Sequence, residues 1–127
     1  MNKQVRLAAF LDGTSNTMLM SEVVKPLSDD HFDFRGGFMN DDQSSAQFMT
    51  LSTPNSGVDS TVCVDKVRPN PCQLGSKTYL SARSYHTGGV NALFGDGSVH
   101  FTSNSINLTA WRIFGALHSG QPAPPLD

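Results

Sequence analysis

Glutamate occurs once in the 127 residues, as Glu22, and cysteine twice, as Cys63 and Cys72. A paired-carboxylate glycosidase needs two acids about 5 to 9 Å apart, so Glu22 would have to take an aspartate as its partner. A zinc site built on the cysteines is two ligands short, because no further donor stands beside either at metal-binding spacing. Basic residues number nine and are scattered singly among eleven acids, so no basic patch interleaved with aromatics points to nucleic acid. Apolar runs extend over only a few residues, and neither a membrane span nor a signal peptide is expected within this sequence. No serine lies in a Gly-x-Ser-x-Gly elbow, the pattern that would announce a nucleophile of the hydrolase kind.

What is abundant is turn chemistry. Gly, Ser, Asn and Asp are frequent and apolar residues make up 38% of the chain, which reads as a turn-rich β protein rather than a helical bundle. The length fits one domain, residues 1–127, burying about 65% of its unfolded surface. The clearest local signal is Asp96-Gly97 between two apolar runs, a pair suited to a two-residue hairpin turn. In that register Phe94 faces Val99 and Ala92 faces Phe101, and Val90, Ala92, Phe94, Val99 and Phe101 form one apolar face. Asn91, Leu93, Ser98, His100 and Thr102 form the other.

The same stretch carries a resemblance. His86, nine residues and then Asp96-Gly97, embedded in Arg83-Ser84-Tyr85-His86, Gly88-Gly89-Val90-Asn91 and Ser98-Val99, resembles the prepilin-type family named for a His-x9-Asp-Gly motif in a processing-associated C-terminal domain. A second block, Asp12-Gly13-Thr14-Ser15-Asn16-Thr17 with Glu22 closing an apolar run, is similar to that family as well. The resemblance implies an exported, pilin-like or pseudopilin-like protein without a known reaction, whose partners are other pilin-like or secretion-system subunits. It also implies a cleavable leader and a long apolar assembly helix, which the opening MNKQVRLAAFLDGTSNT lacks. The expectation is a soluble part separated from that helix, in preference to a natural variant without it. In neither form does the molecule assemble through that helix.

In chain order, Val5 to Leu11 reads as a short helix or strand, 12–16 as a turn cluster, and Thr17 to Val24 as a strand on which Met18, Met20 and Glu22 share a face. His31-Phe32-Asp33-Phe34-Arg35 alternates as an exposed strand, with Asp33 and Arg35 as solvated neighbours. Asp29, Asp30, Asp33, Asp41 and Asp42 are hard oxygen donors whose spacing matches no twelve-residue calcium loop, so a solvated acidic loop is the expectation; because some pseudopilins bind calcium, Asp29, Asp30 and Asp33 are kept as the alternative calcium candidates. Cys63 and Cys72 flank a Pro-rich loop, and in a chain of exported type they suggest a disulfide and an extracytoplasmic location. Asn104 or Asn107 caps a helix from about Leu108 to His118, with Gly120 as its stop and 121–127 as a tail. Its apolar stripe is expected on the hairpin face, with Trp111 in the core. The fold class is therefore α+β, mostly antiparallel sheet with a C-terminal helix.

For chemistry, Ser84, His86 and Asp96 are residue types a hydrolytic triad uses, and Glu22 is a further acid. In a flat hairpin His86 lies far along its strand from Asp96, and Asp96 is already accounted for as a turn residue. His86 is expected to brace the two motif blocks by bonding the loop after Asp12, in preference to ligand, metal or catalytic contact. Asp12, Gly13, Asn16, Glu22, His86, Gly88, Gly89, Asp96 and Gly97 are thus motif residues in the first place. Three function classes follow: a pilin-like structural module, which is preferred; a small ester or glycoside hydrolase using His86 with an acid or serine; and a carbohydrate- or calcium-dependent binding module.

Overall fold

The computed structural model describes residues 5–25, 33–37, 45, 47–63, 71–75 and 77–125. Asp29, Asp30, His31, Phe32, Asp41, Asp42, the Arg68 to Asn70 part of the Pro-rich loop and the last two tail residues lie outside these. The chain is α+β. Strands β1 (Met18–Ser21), β4 (Gly89–Phe94) and β5 (Val99–Ser103) form an antiparallel sheet in the order β1-β4-β5. Two short strands, β2 (Asp59–Ser60) and β3 (Cys72–Gln73), pair in parallel beside it, and helix α1 (Leu108–Phe114) follows β5.

The hairpin forms where Asp96-Gly97 places it, but one residue out of the expected register. Phe94 donates its N–H to the Ser98 carbonyl and accepts from the Gly97 N–H, so the loop is the three residues Gly95-Asp96-Gly97. Gly97 alone of these has a positive φ, +87°, which a side-chain-bearing residue adopts only with strain. A two-residue turn of the mirror-image type would need positive φ at Asp96 as well; instead the Asp96 carboxylate accepts from the Ser98 N–H and hydroxyl, which suits an ordinary right-handed turn.

The extra loop residue turns β5 over, because side chains alternate with a period of two. Leu93 now faces Val99, Ala92 faces His100 and Asn91 faces Phe101. On β4 the expected inward residues Val90, Ala92 and Phe94 are buried, whereas on β5 Thr102 and half-buried His100 take the inner face, leaving Val99 60% and Phe101 54% exposed. The His100 ring stands edge-on to Phe94 with centroids 5.2 Å apart. A bulge between Met18 and Met20 likewise breaks the alternation of β1: Met18 is buried in the core and Met20 lies outside with Leu19.

The core is Met18, Ala82, Val90, Ala92, Phe94, Ile106, Ala110, Trp111 and Phe114. Helix α1 lays Trp111 and Phe114 on the inner face, the Phe94 and Phe114 rings meeting edge to face at 5.5 Å. Asn107 caps it, its side-chain oxygen accepting from the Thr109 and Ala110 N–H groups. The helix ends at Phe114, four residues before the expected His118, with Gly115 as its C-cap against the Thr50 side chain. The segment from Val5 to Leu11 holds one 3-10 turn, Leu7–Ala9, and leaves Val5, Leu7 and Leu11 exposed.

Beside the sheet, Cys63 and Cys72 form a disulfide. Next to it lies an ion network that overturns the reading of Asp33 and Arg35 as solvated. Arg35 is 2% exposed; its Nη2 reaches Asp33 at 2.7 Å and its Nη1 reaches Asp59 at 3.3 Å. Asp59 in turn accepts from Arg83 Nε at 3.1 Å and from the Ser81 N–H at 3.0 Å. Burial opposes the charge on Arg35, but Asp33 and then Asp59 outweigh it and raise its pKa. The Asp33 carboxylate is fully covered and given to Arg35, so it is not a solvent-facing calcium ligand.

Candidate functional site

Glu22 of the first motif block meets His86 and Asn91 of the second beside the end of β1. β1 ends at Ser21, whose hydroxyl donates to the Asn91 carbonyl, and the Glu22 carbonyl accepts from the Arg83 N–H. Held at both sides, the Glu22 side chain lies over β4. One carboxylate oxygen, Oε2, accepts the Asn91 N–H at 2.7 Å; the other, Oε1, faces His86 Nε2 at 2.9 Å and Asn91 Nδ2 at 3.3 Å. Asn91 Nδ2 and His86 Nε2 are themselves 3.3 Å apart.

The loop before β4 positions the imidazole. Ser84 donates its hydroxyl to the Gly89 carbonyl at 2.7 Å and accepts the His86 N–H at 3.1 Å, while its own N–H is taken by Asn55 Oδ1 at 2.8 Å. Asn55 bonds onward to Asn104, which follows β5. Gly89 is required at the start of β4 because a side chain there would run into the Thr102 carbonyl and the Phe101 ring. Gly88 precedes it and accepts the Asn104 N–H. The Phe101 ring stands edge-on to His86 with centroids 6.4 Å apart.

Burial works against the Glu22 charge, but the hydrogen bonds from the Asn91 N–H, the Asn91 amide and His86 outweigh it, so its pKa lies below the ordinary carboxylate value. The pair is partly open to water: the side chains are 52% exposed for His86 and 33% for Glu22. An open cleft of about 610 Å³ runs beside it, between Glu22 to Lys25 on one wall and Arg83 to His86 on the other. Tyr85, 64% exposed, stands on the second wall.

His86 therefore meets Glu22, not the loop after Asp12. Asp12 instead reaches the chain after the helix: its carboxylate accepts from the Ser119 and Gly120 N–H groups and lies 3.7 Å from His118 Nδ1. The Ser119 N–H, foremost, lowers the Asp12 pKa. Asn16 donates to the Asp12 carbonyl and Thr17 to the Gly13 carbonyl, closing the turn cluster.

Asp96 sits at the far end of β4, about 20 Å along the strand from His86, so the two residues that define the spacing do not meet. The Ser98 hydroxyl and N–H lower the Asp96 pKa. Asp96, Ser98 and His100 do form a chain, with Ser98 Oγ 2.6 Å from Asp96 Oδ1 and 3.0 Å from His100 Nε2. In it serine stands between the acid and the imidazole; activating a serine requires the imidazole in the middle. Ser84 gives its hydroxyl to a backbone carbonyl, as above, rather than to His86.

Sequence reasoning assigned no role to Asn91, Asn55 or the Asp59 network. Asn91 left a signal: asparagine is disfavoured within strands, and here it faces outward in the middle of β4. Asp59 and Arg83 are 24 residues apart, and their pairing has no local signature. Among the described residues no group of three or more His, Cys, Asp or Glu is placed to hold a metal, and no helix is long and apolar enough to cross a membrane.

A family described as a protein of unknown function (DUF1559) matches residues 1–109. The chain belongs to that family. The matched span takes in both motif blocks, the whole sheet and the start of α1. No curated protein and no solved structure matches the chain.

Proposed function

We propose that this family member is a pilin-like or pseudopilin-like structural module of the cell envelope or its exterior, partnered by other pilin-like or secretion-system subunits. The observation that carries the reading is the use made of the motif residues. Glu22 and His86 tie the end of β1 to β4 and to the loop before it; Asp96 and Gly97 shape the hairpin turn; Asp12 holds the segment after the helix. Glu22, His86 and Asp12 join distant parts of the chain while Asp96 and Gly97 set a local turn, the service a scaffold asks of its polar residues. The disulfide suits an oxidising compartment. The uncovered Val5, Leu7 and Leu11 stand at the end of the chain where the pilin resemblance puts the assembly helix.

The test has two arms. Joined behind an apolar pilin helix, the chain should enter filaments or pseudopili in cells that process prepilins, and should remain monomeric without it. On chromogenic ester and glycoside panels, with and without EDTA, the purified chain should be silent while His86→Ala and Glu22→Gln only melt earlier. Turnover that scales with protein and vanishes in one of those variants would replace the structural reading by the hydrolase.

One observation favours a second reading, the carbohydrate-binding module. The exposed Tyr85 ring beside the cleft offers the apolar platform a sugar face stacks on, with Glu22 and His86 as hydrogen-bonding groups. Saturable binding of an oligosaccharide without turnover, abolished in Tyr85→Ala, would select it.

A further inference from the structure

The Glu22, His86 and Asn91 side chains meet in a way that bracing alone does not require. Glu22 Oε1, His86 Nε2 and the Asn91 amide form a closed triangle with edges of 2.9, 3.3 and 3.3 Å. Only two of its edges are hydrogen bonds: when Nε2 carries the proton it gives to Glu22, it has no lone pair for the Asn91 N–H. Turning the Asn91 amide about its terminal bond places Oδ1 at the same corner.

We infer that this triangle is one face of a binding site for a divalent first-row metal ion, with Glu22 Oε1, His86 Nε2 and Asn91 Oδ1 as its ligands. An ion about 2.1 Å from each donor sets donors about 3.0 Å apart in octahedral and about 3.4 Å apart in tetrahedral geometry, and the edges of 2.9, 3.3 and 3.3 Å fall close to that range. One imidazole, one carboxylate and one amide oxygen are the mixed N/O donors that suit zinc and its neighbours. The surroundings fix two of the donors: Glu22 Oε2 is held by the Asn91 N–H, the His86 backbone N–H is held by the Ser84 hydroxyl, and the Phe101 ring stands edge-on to the imidazole. The cleft leaves the remaining coordination positions open to water or to a donor atom from a ligand. Because Glu22 lies 64 and 69 residues along the chain from His86 and Asn91, bound metal stabilises the fold directly.

The experiment titrates the EDTA-treated full chain with zinc, following the melting temperature, calorimetric stoichiometry and the imidazole ¹⁵N shifts. One equivalent should bind, the melting temperature should rise, and His86 should change from the Nε2–H to the Nδ1–H tautomer as Nε2 takes the metal. Asn91→Asp should bind zinc at least about tenfold tighter, since a full negative charge replaces a dipole at the ligand position. The same variant should be less stable without zinc, where two carboxylates face each other. His118→Ala, which alters the other histidine beside an acid, should bind as the parent does. Zinc that leaves the His86 shifts unmoved, or that binds Asn91→Asp no more tightly than the parent, overturns the assignment whether or not His86→Ala folds.

Discussion

Replacing Asp59 by asparagine isolates the energetics of the buried ion network. The wild-type carboxylate accepts from Arg35 Nη1, from Arg83 Nε through both oxygens, and from the Ser81 N–H. All of these side chains are nearly inaccessible, and among the described residues two Arg stand against two Asp. Asp59→Asn conserves shape and can still accept from Ser81, but leaves one uncompensated positive charge in the interior. Arg35 retains Asp33, and among the described residues Arg83 retains only the Ser56 and Gly57 carbonyls. Removing one partner from a buried ion pair costs about 3–5 kcal/mol, a large part of the ~5–15 kcal/mol that holds a domain of this size together. At this length that is a fall of roughly 10–20 °C in melting temperature, read by thermal and urea unfolding. The loss measures the stranded charge rather than the worth of the ion pair, so Asp59→Asn/Arg83→Met, neutral again, should recover at least about 1 kcal/mol. A single variant that loses less than about 1 kcal/mol, or a double variant that merely sums two losses, would refute the account of a dry network.

Other consequences are tested in the same assay. Phe101→Ser should change stability by less than about 1 kcal/mol, as for a surface residue, whereas a loss of about 3–5 kcal/mol, the cost of emptying a core phenylalanine site, would put Phe101 on the inner face. Reducing the Cys63–Cys72 bond should lower stability by about 2–4 kcal/mol, seen as an earlier melt in dithiothreitol; an unchanged melt would mean that the loop is restrained without it. Glu22 has a pKa below its ordinary 4.5, and Asp12 and Asp96 have values below 3.8. Their folded forms therefore favour the ionised state, and their contribution is fully present above about pH 5 and fades as pH falls through 4.5 and below. Urea midpoints from pH 7 to pH 3 should drop, and should drop less steeply in Glu22→Gln; an equal slope in both would remove Glu22 from the acid sensitivity.

Much of this molecule is legible in short stretches of sequence. Asp96-Gly97 between apolar runs marks a hairpin, Asn107 before an apolar stripe marks a helix start, and Val90, Ala92 and Phe94 alternate as a buried strand must. These signals are local, since each depends on residues within a turn or a pleat of one another, and so the α+β class and the placing of Trp111 in the core follow from them. Loop length at the turn was decided by a side chain, Asp96, satisfying Ser98 rather than by the dipeptide, and one residue of difference exchanged Val99 and Phe101 for His100 and Thr102 on the inner face. Distance along the chain hid the rest. Asp33 and Arg35 look like solvated neighbours until Asp59, 24 residues beyond Arg35, and Arg83, 24 further on, arrive and close water out; Glu22 looks like a strand-end carboxylate until β1 is laid against β4 and brings Asn91 and His86 to it. The sequence by itself determined the hairpin strands, their turn and the start of the helix, because those choices rest on nearest-neighbour sterics and hydrogen bonding, whereas residues 33–35, expected in a strand, are not in one and the β2–β3 pair was not foreseen. Only the tertiary structure decided which charges are buried and which motif residues meet, because both depend on the packing of segments that no local pattern connects.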